Sequence, residues 1–247
     1  MSEQKFLIGK IESLIRRASR GDWMNSSSFL APEEGALAES ICQKSSVSYL
    51  LYGGYEEAER KVLIVSDADA ETLKCAAPIV LLQIQCGDLS AISNRDVLGA
   101  LMGSGIRRDV LGDIIVRDGV ALVFVLDRIK DFIIQNVTSI GRQGVRFLEI
   151  SSDFEIPAPS FEEIRLTVAS LRLDAVVGAL AHLSREKAAQ LIEEKIVLLN
   201  NKTVIKKTKE ISKGDRIVVR GSGKWIIDEC GDLTKKDRVI VRCRKYI

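Results

Sequence analysis

Four residues around position 180 have the types and spacing of an anion-binding group: Arg172, Ser184, Arg185 and Lys187. A serine ahead of a helix caps its first turn, and the free amides there form a site for phosphate. Arg185 and Lys187, in the exposed first turn after Ser184, are placed to neutralise that phosphate. Each has a plainer role open to it: Ser184 caps its helix with or without an anion, and Arg172 can pair with Asp174. Downstream, residues 206–224 hold seven basic side chains (Lys206, Lys207, Lys209, Lys213, Arg216, Arg220 and Lys224) against two acids, Glu210 and Asp215. With Lys195, Asn200 and Lys202 they make a candidate surface for structured RNA, bound through backbone and shape with strong salt dependence. Trp225 is either a stacking platform or, beside strand valines, part of the core.

Secondary candidates lie upstream. Arg107 and Arg108 follow a helix, with Gly103 and Gly105 beside them, and are either a second RNA contact or a solvated turn. Arg142 and Arg146 flank Gly141 and Gly144 in a loop open to a phosphate. Gly53-Gly54-Tyr55 reads as a tightly packed corner rather than a binding loop, and Glu56, Glu57 and Glu59 as solvated charges.

Nothing points to catalysis or to a cofactor. The single histidine, His182, is expected to pack or cap between two helices. The five cysteines (Cys42, Cys75, Cys86, Cys230 and Cys243) are odd in number and scattered, which argues for a reducing cytosol and against a disulfide framework or a zinc site. A P-loop is absent, and the glycines of Leu98–Gly105 fall within or at the end of a helix, not at a strand-to-helix turn that cradles a nucleotide.

These residues sit on an uneven chain. Residues 1–163 hold 17 Lys/Arg and 24 Asp/Glu, and residues 164–247 hold 19 and 10, so a net charge of −7 precedes one of +9. An acidic body with a basic C-terminal module suggests a polyanion-binding domain. The apolar runs, such as Pro78–Ile84, are far short of the ~20 residues of a membrane span, and Met1–Lys5 opens no signal-peptide core. A cytoplasmic protein is expected.

The pattern predicts an α+β protein in three parts. An N-terminal α/β unit (1–72) opens with a helix whose Leu7, Ile11, Leu14, Ile15 and Ala18 share one face, closed by Gly21. Asn25–Ser28 reads as a polar loop, a helix from Pro32 turns Leu37 and Ile41 inward, and strands cover 47–52 and 61–66. A middle domain (73–152) has the order βαββαβ of the ferredoxin-like arrangement that RNA-recognition motifs share. Its Phe124 has no aromatic neighbour in its strand, so RNA stacking on that sheet is not expected. Residues 153–170, with two of the chain's four prolines, read as a linker. Residues 171–247 complete the chain with two short helices and a small sheet, with turns at Asn200-Asn201 and Gly214-Asp215.

The C-terminal unit resembles an S-four-like (αL) RNA-binding domain over about residues 171–228: Arg172-Leu-Asp174, Ser184-Arg185-x-Lys187-Ala188, Lys195–Asn200 and Gly214-Asp215. Tyr52–Lys61, Asn94–Arg108 with Leu111–Ile115, and Thr138–Arg142 occur upstream in order, and with that domain the chain resembles the YlmH family of bacterial RNA-binding proteins. It departs at Gly221-Ser-Gly-Lys-Trp225, where the family tends to have an aromatic between the glycines. The resemblance implies a non-enzymatic protein, monomeric when free, that binds ribosomal RNA and tRNA on large ribosomal subunits carrying stalled peptidyl-tRNA, in ribosome-associated quality control. Two other classes stay open. S-four-like domains also occur in RNA pseudouridine synthases, although Leu171-Arg-Leu-Asp174 lacks the glycine of their catalytic string. Residues 1–160 could instead scaffold another protein.

Overall fold

The computed structural model of the chain describes residues 3–22, 25–66, 68–151, 153–234 and 237–247. Two compact units form, residues 1–157 and 158–247.

In the first unit, helix α1 (Glu3–Ala18) buries Ile11 and Ala18 and ends at Gly21, whose φ of +90° suits a helix stop. Strand β1 (Asn25–Leu30), helix α2 (Pro32–Cys42), strands β2 (Tyr49–Tyr52) and β3 (Lys61–Val65) and helix α3 (Ala70–Cys75) follow, and the strands pair in the order β1-β3-β2. The polar run 25–28, expected as a loop, is thus a strand. Serines hide it because the register with β3 breaks between Ser26 and Phe29, and Ser27 accepts the Leu63 amide through its side chain at 2.9 Å. In α2 the buried residues are Gly35, Ala38 and Cys42, while Leu37 and Ile41 are only half-buried, so the helix is turned from the expected face.

Next come β4 (Ile79–Cys86), α4 (Asn94–Gly103), β5 (Leu111–Arg117), β6 (Val120–Leu126), α5 (Asp127–Asn136), β7 (Ser139–Ile140) and β8 (Gln143–Ile150). Ser93 and Asp96 close the expected capping box at the start of α4. The hairpin β5–β6 turns on Asp118 and Gly119, both at positive φ, the two-residue turn whose twist matches that of the strands. The antiparallel sheet runs β5-β6-β4-β8-β7, and α4 and α5 pack on it. Strand β6 is buried on both faces, because Phe29, Val62 and Ile64 share its core. The segments expected as separate domains, 1–72 and 73–152, therefore lie in one unit.

The second unit holds β9 (Phe161–Val168), α6 (Leu173–Leu180), α7 (Arg185–Glu193), β10 (Val197–Leu199), β11 (Lys202–Thr203), β12 (Arg216–Val219), β13 (Gly223–Leu233) and β14 (Val239–Tyr246). Their sheet runs β11-β10-β12-β13-β14-β9 and is antiparallel. Strand β9 begins inside the span read as a linker; it pairs along the whole of β14, with its alternating Ile164, Leu166 and Val168 on the core face. The core joins Leu173, Val176, Val177, Ala188 and Ile192 of the helices to Ile217, Trp225, Ile227 and Val241 of the sheet.

Candidate nucleic-acid interface

The start of α6 is fixed from outside the helix. Leu173 and Asp174 donate their amides to the carbonyls of Lys209 and Lys207, at 2.8 and 3.1 Å, and Ile211 donates to Leu171. The basic run 206–209 is thereby held against the N-terminus of α6. Asp174 itself is 3% exposed. Arg172 donates to both its oxygens at 3.2 and 2.8 Å, and Arg185 approaches Oδ2 at 3.2 Å from the first turn of α7. Burial alone would raise the Asp174 pKa, but hydrogen bonds from Arg172 and Arg185 outweigh it and hold the carboxyl below its ordinary range. One buried carboxylate thus orients two arginines that keep much of their surface, 36% for Arg172 and 52% for Arg185.

At the start of α7, Ser184 accepts the Lys187 amide at 3.1 Å, the expected cap. Lys187 is exposed, and its ammonium donates to Gln190. The helices meet closely at Gly178, where an added Cβ would lie 3.1 Å from the Leu183 carbonyl. His182 is exposed at φ +55° just beyond α6, in the reversal where the Leu183 amide donates to the Gly178 carbonyl; of the two roles expected of it, it takes the cap of α6 and does not pack between the helices.

Lys195, Lys202, Lys206, Lys207, Lys209 and Arg220 are exposed, with Lys207 paired to Glu193 at 3.1 Å. Asn200 has work of its own. It sits at φ +50° in the β10–β11 turn, donates to Asp215 at 2.8 Å and accepts the Arg216 amide at 2.9 Å, so it locks that turn to β12. Trp225 is 1% exposed and belongs to the core. Lys224 lies over the Tyr246 ring, 4.2 Å from its centroid.

The upstream arginines divide. Arg107 is exposed and chelates Asp109, while Arg142 and Arg146 are exposed around the β7–β8 turn. Arg108, expected beside Arg107 as a surface contact, instead turns inward and donates to the carbonyls of Leu111 and Gly112 at 2.7 and 3.0 Å. Burial, and then repulsion from Arg60, lower its pKa to about 10. Arg60, which sequence reasoning did not single out, likewise donates to the carbonyls of Leu111 and Phe29. Gly53 and Gly54 form the corner expected of them. A Cβ on Gly53 would lie 2.4 Å from Ala58, and one on Gly54, at φ +101°, 2.4 Å from the Phe124 ring. Tyr55 stacks on Phe124 with centroids 5.1 Å apart and donates to Asp113 at 2.9 Å. The face of β6 that carries Phe124 is therefore covered by protein.

The thiols of Cys42 and Cys243 are pushed up to about 11 by burial, which makes them poor nucleophiles. Among the described residues no group of His, Cys, Asp or Glu is arranged to hold a metal, and no helix is long and apolar enough to cross a membrane.

A family model described as the putative RNA-binding domain in YlmH matches residues 78–153, the span from β4 to just past β8. The chain is also 30% identical over 203 residues to the ribosome-associated protein quality control protein P2 of Bacillus subtilis (strain 168), spanning 81% of this chain and 79% of that protein. The chain belongs to the YlmH family. A solved structure, the cell division protein ylmH from Streptococcus pneumoniae, resembles this YlmH-family chain in fold, with a TM-score of 0.54 at 16% identity. The similarity covers 61% of this chain and 93% of that one.

Proposed function

We propose that this YlmH-family chain is a non-catalytic RNA-binding protein. It recognises structured ribosomal RNA on large subunits that carry stalled peptidyl-tRNA, and its C-terminal unit acts as an S-four-like domain. The observation that carries this reading is Asp174, a buried carboxylate that aims Arg172 and Arg185 beside the Ser184-capped end of α7. Preset guanidinium groups beside free helix amides suit phosphates held in a fixed geometry. Exposed Lys187, Lys195, Lys202, Lys206, Lys207, Lys209 and Arg220 extend the surface, with Lys224 at its side. Further support comes from the RNA-binding description of the family model and the ribosome-associated name of the Bacillus relative. Arg142 and Arg146 are the upstream residues placed for a second contact. A ferredoxin-like reading of β4–β8 fits its strand order, with RNA kept off the covered sheet face. Asp174, the aspartate of the Arg-Leu-Asp string, is engaged by two arginines, which disfavours a pseudouridine-synthase role. The protein works in the cytoplasm as a monomer without a cofactor.

The test is co-sedimentation with empty subunits and with large subunits bearing peptidyl-tRNA, across a salt series. Salt-sensitive binding to the tRNA-bearing subunit is expected. Replacing Arg185 and Lys187 with Glu should weaken binding by roughly 1–3 kcal/mol for each at low salt while the fold stays intact. Unchanged affinity in the folded double variant would remove the assignment.

A further inference from the structure

The sheet of the second unit has two faces with different chemistry. One carries Ile217, Trp225, Ile227, Val241 and Cys243 into the core under α6 and α7. The other, given by the alternate positions of the same strands, carries a pair of aromatic rings among cations. Phe161 of β9 and Tyr246 of β14 are directly opposite in register, and their rings meet edge to face with centroids 4.8 Å apart. Each ring has a cation over it: the Arg244 guanidinium 4.7 Å from the Phe161 centroid, and the Lys224 ammonium 4.2 Å from that of Tyr246. Arg244 is held in place by Asp228 at 2.9 to 3.1 Å. Arg165, Arg242 and Arg216 are exposed at neighbouring positions, and Glu229 pairs with Arg242.

We propose that this face binds a single-stranded segment of RNA, with bases stacking at Phe161 and Tyr246 and phosphates meeting Arg244, Lys224 and Arg165. The proposal takes from the preceding reading only that the C-terminal unit binds RNA; apart from Lys224, which borders both surfaces, its residues are others. Two features favour RNA over a protein partner. A ring with a cation on its face is what a nucleotide replaces part by part, the base taking the ring and the phosphate taking the displaced cation. Arg165, Arg216, Arg242, Arg244 and Lys224 outnumber the acids Glu163, Asp228 and Glu229 here, so the face keeps a net positive charge that favours an acidic polymer. Stacking tolerates any base, so this contact is indifferent to sequence.

The experiment uses the full chain and two probes: a fluorescein-labelled single-stranded oligouridylate of about ten nucleotides, and a ribosomal RNA hairpin. Phe161→Leu with Tyr246→Leu keeps apolar area on the strands and removes the π faces. This variant should bind the oligouridylate roughly tenfold or more weaker for the pair while keeping its affinity for the hairpin. Arg185→Glu with Lys187→Glu should do the reverse. For the unaltered protein, 4-thiouridine in the oligouridylate should photocross-link to peptides containing 161–168 or 239–246, a result that does not depend on the variant folding. Undiminished oligouridylate binding by the folded leucine variant, cross-links confined to α6 and α7, or no binding of the oligouridylate at all would each overturn the proposal. Oligouridylate binding through this face without hairpin binding would leave it standing and remove the earlier reading instead.

Discussion

The buried arginines of the first unit and the acid-held arginines of the second are used in opposite ways. In residues 1–157, Arg60 and Arg108 point inward and donate to the carbonyls of Phe29, Leu111 and Gly112. Arg60 ties β1 to the start of β5, Arg108 braces that start from its own neighbouring turn, and burial lowers the pKa of both. In residues 158–247, a carboxylate or a ring holds the arginine from behind and leaves its outer side to solvent, as with Arg172 and Arg185 on Asp174 and Arg244 on Asp228. The same side chain serves as a brace where carbonyls surround it and as a preset ligand where an acid orients it.

The comparison can be strained most at the corner that braces the first unit. Gly54→Val combines a positive φ with a Cβ at 2.4 Å from Phe124, and should cost about 3 kcal/mol or more in a urea melt. Gly221→Ala, at φ +84° with nothing within 4 Å, isolates the backbone cost alone and should lose about 1 kcal/mol. Equal losses would mean that the corner is not tightly packed.

A smaller effect separates the two neighbouring arginines. Arg108→Met leaves the Gly112 carbonyl without its charged donor and the Leu111 carbonyl with Arg60 alone, and should cost about 2 kcal/mol. Arg107→Met, at an exposed pair, should stay within about 0.5 kcal/mol by the same melt. Similar losses for both would erase the distinction between brace and surface charge.

The smallest effect is a matter of pH. Asp174 is held below its ordinary value of 3.8 in the folded protein, so the unfolded chain takes up its proton first on acidification. Its contribution to stability is complete above that value and is lost as pH falls through the lowered one. Asp174→Asn should therefore flatten the acid limb of a stability-versus-pH curve and weaken RNA binding by loosening Arg172 and Arg185. An unaltered acid limb would show that the carboxylate does not govern its two arginines.

Much of this was legible in the residues, for physical reasons. Asp118-Gly119 and Asn200-Asn201 announce two-residue turns because few residues tolerate positive φ, and both turns form. The capping residues Ser93 and Ser184 act within four residues, so local sequence contains the whole interaction. What escaped depends on distant partners. Strand β1 is written in serines because a side chain of β1 meets an amide of β3. Strand β9 hides among prolines and acids because its pairing partner lies some eighty residues away. Arg107 and Arg108 are indistinguishable in sequence, and only the carbonyls of β5 separate them. Of the candidate interface, the residue types are readable, as is Asp174 as a local partner for Arg172, but Arg185 lies eleven positions away and reaches Asp174 only because α7 packs on α6.

The β9–β14 pairing also sets a timetable. Its two strands lie at opposite ends of the second unit in sequence, so closing it orders a long loop, and the entropic cost of that loop is met only by contacts made at the end. The local pieces, α6 with α7 and β10 with β11, need no such wait. On a growing chain, the helical end of the unit can take shape while β9 still lacks its neighbour, and the strand that carries Phe161 is completed only once Tyr246 has been made.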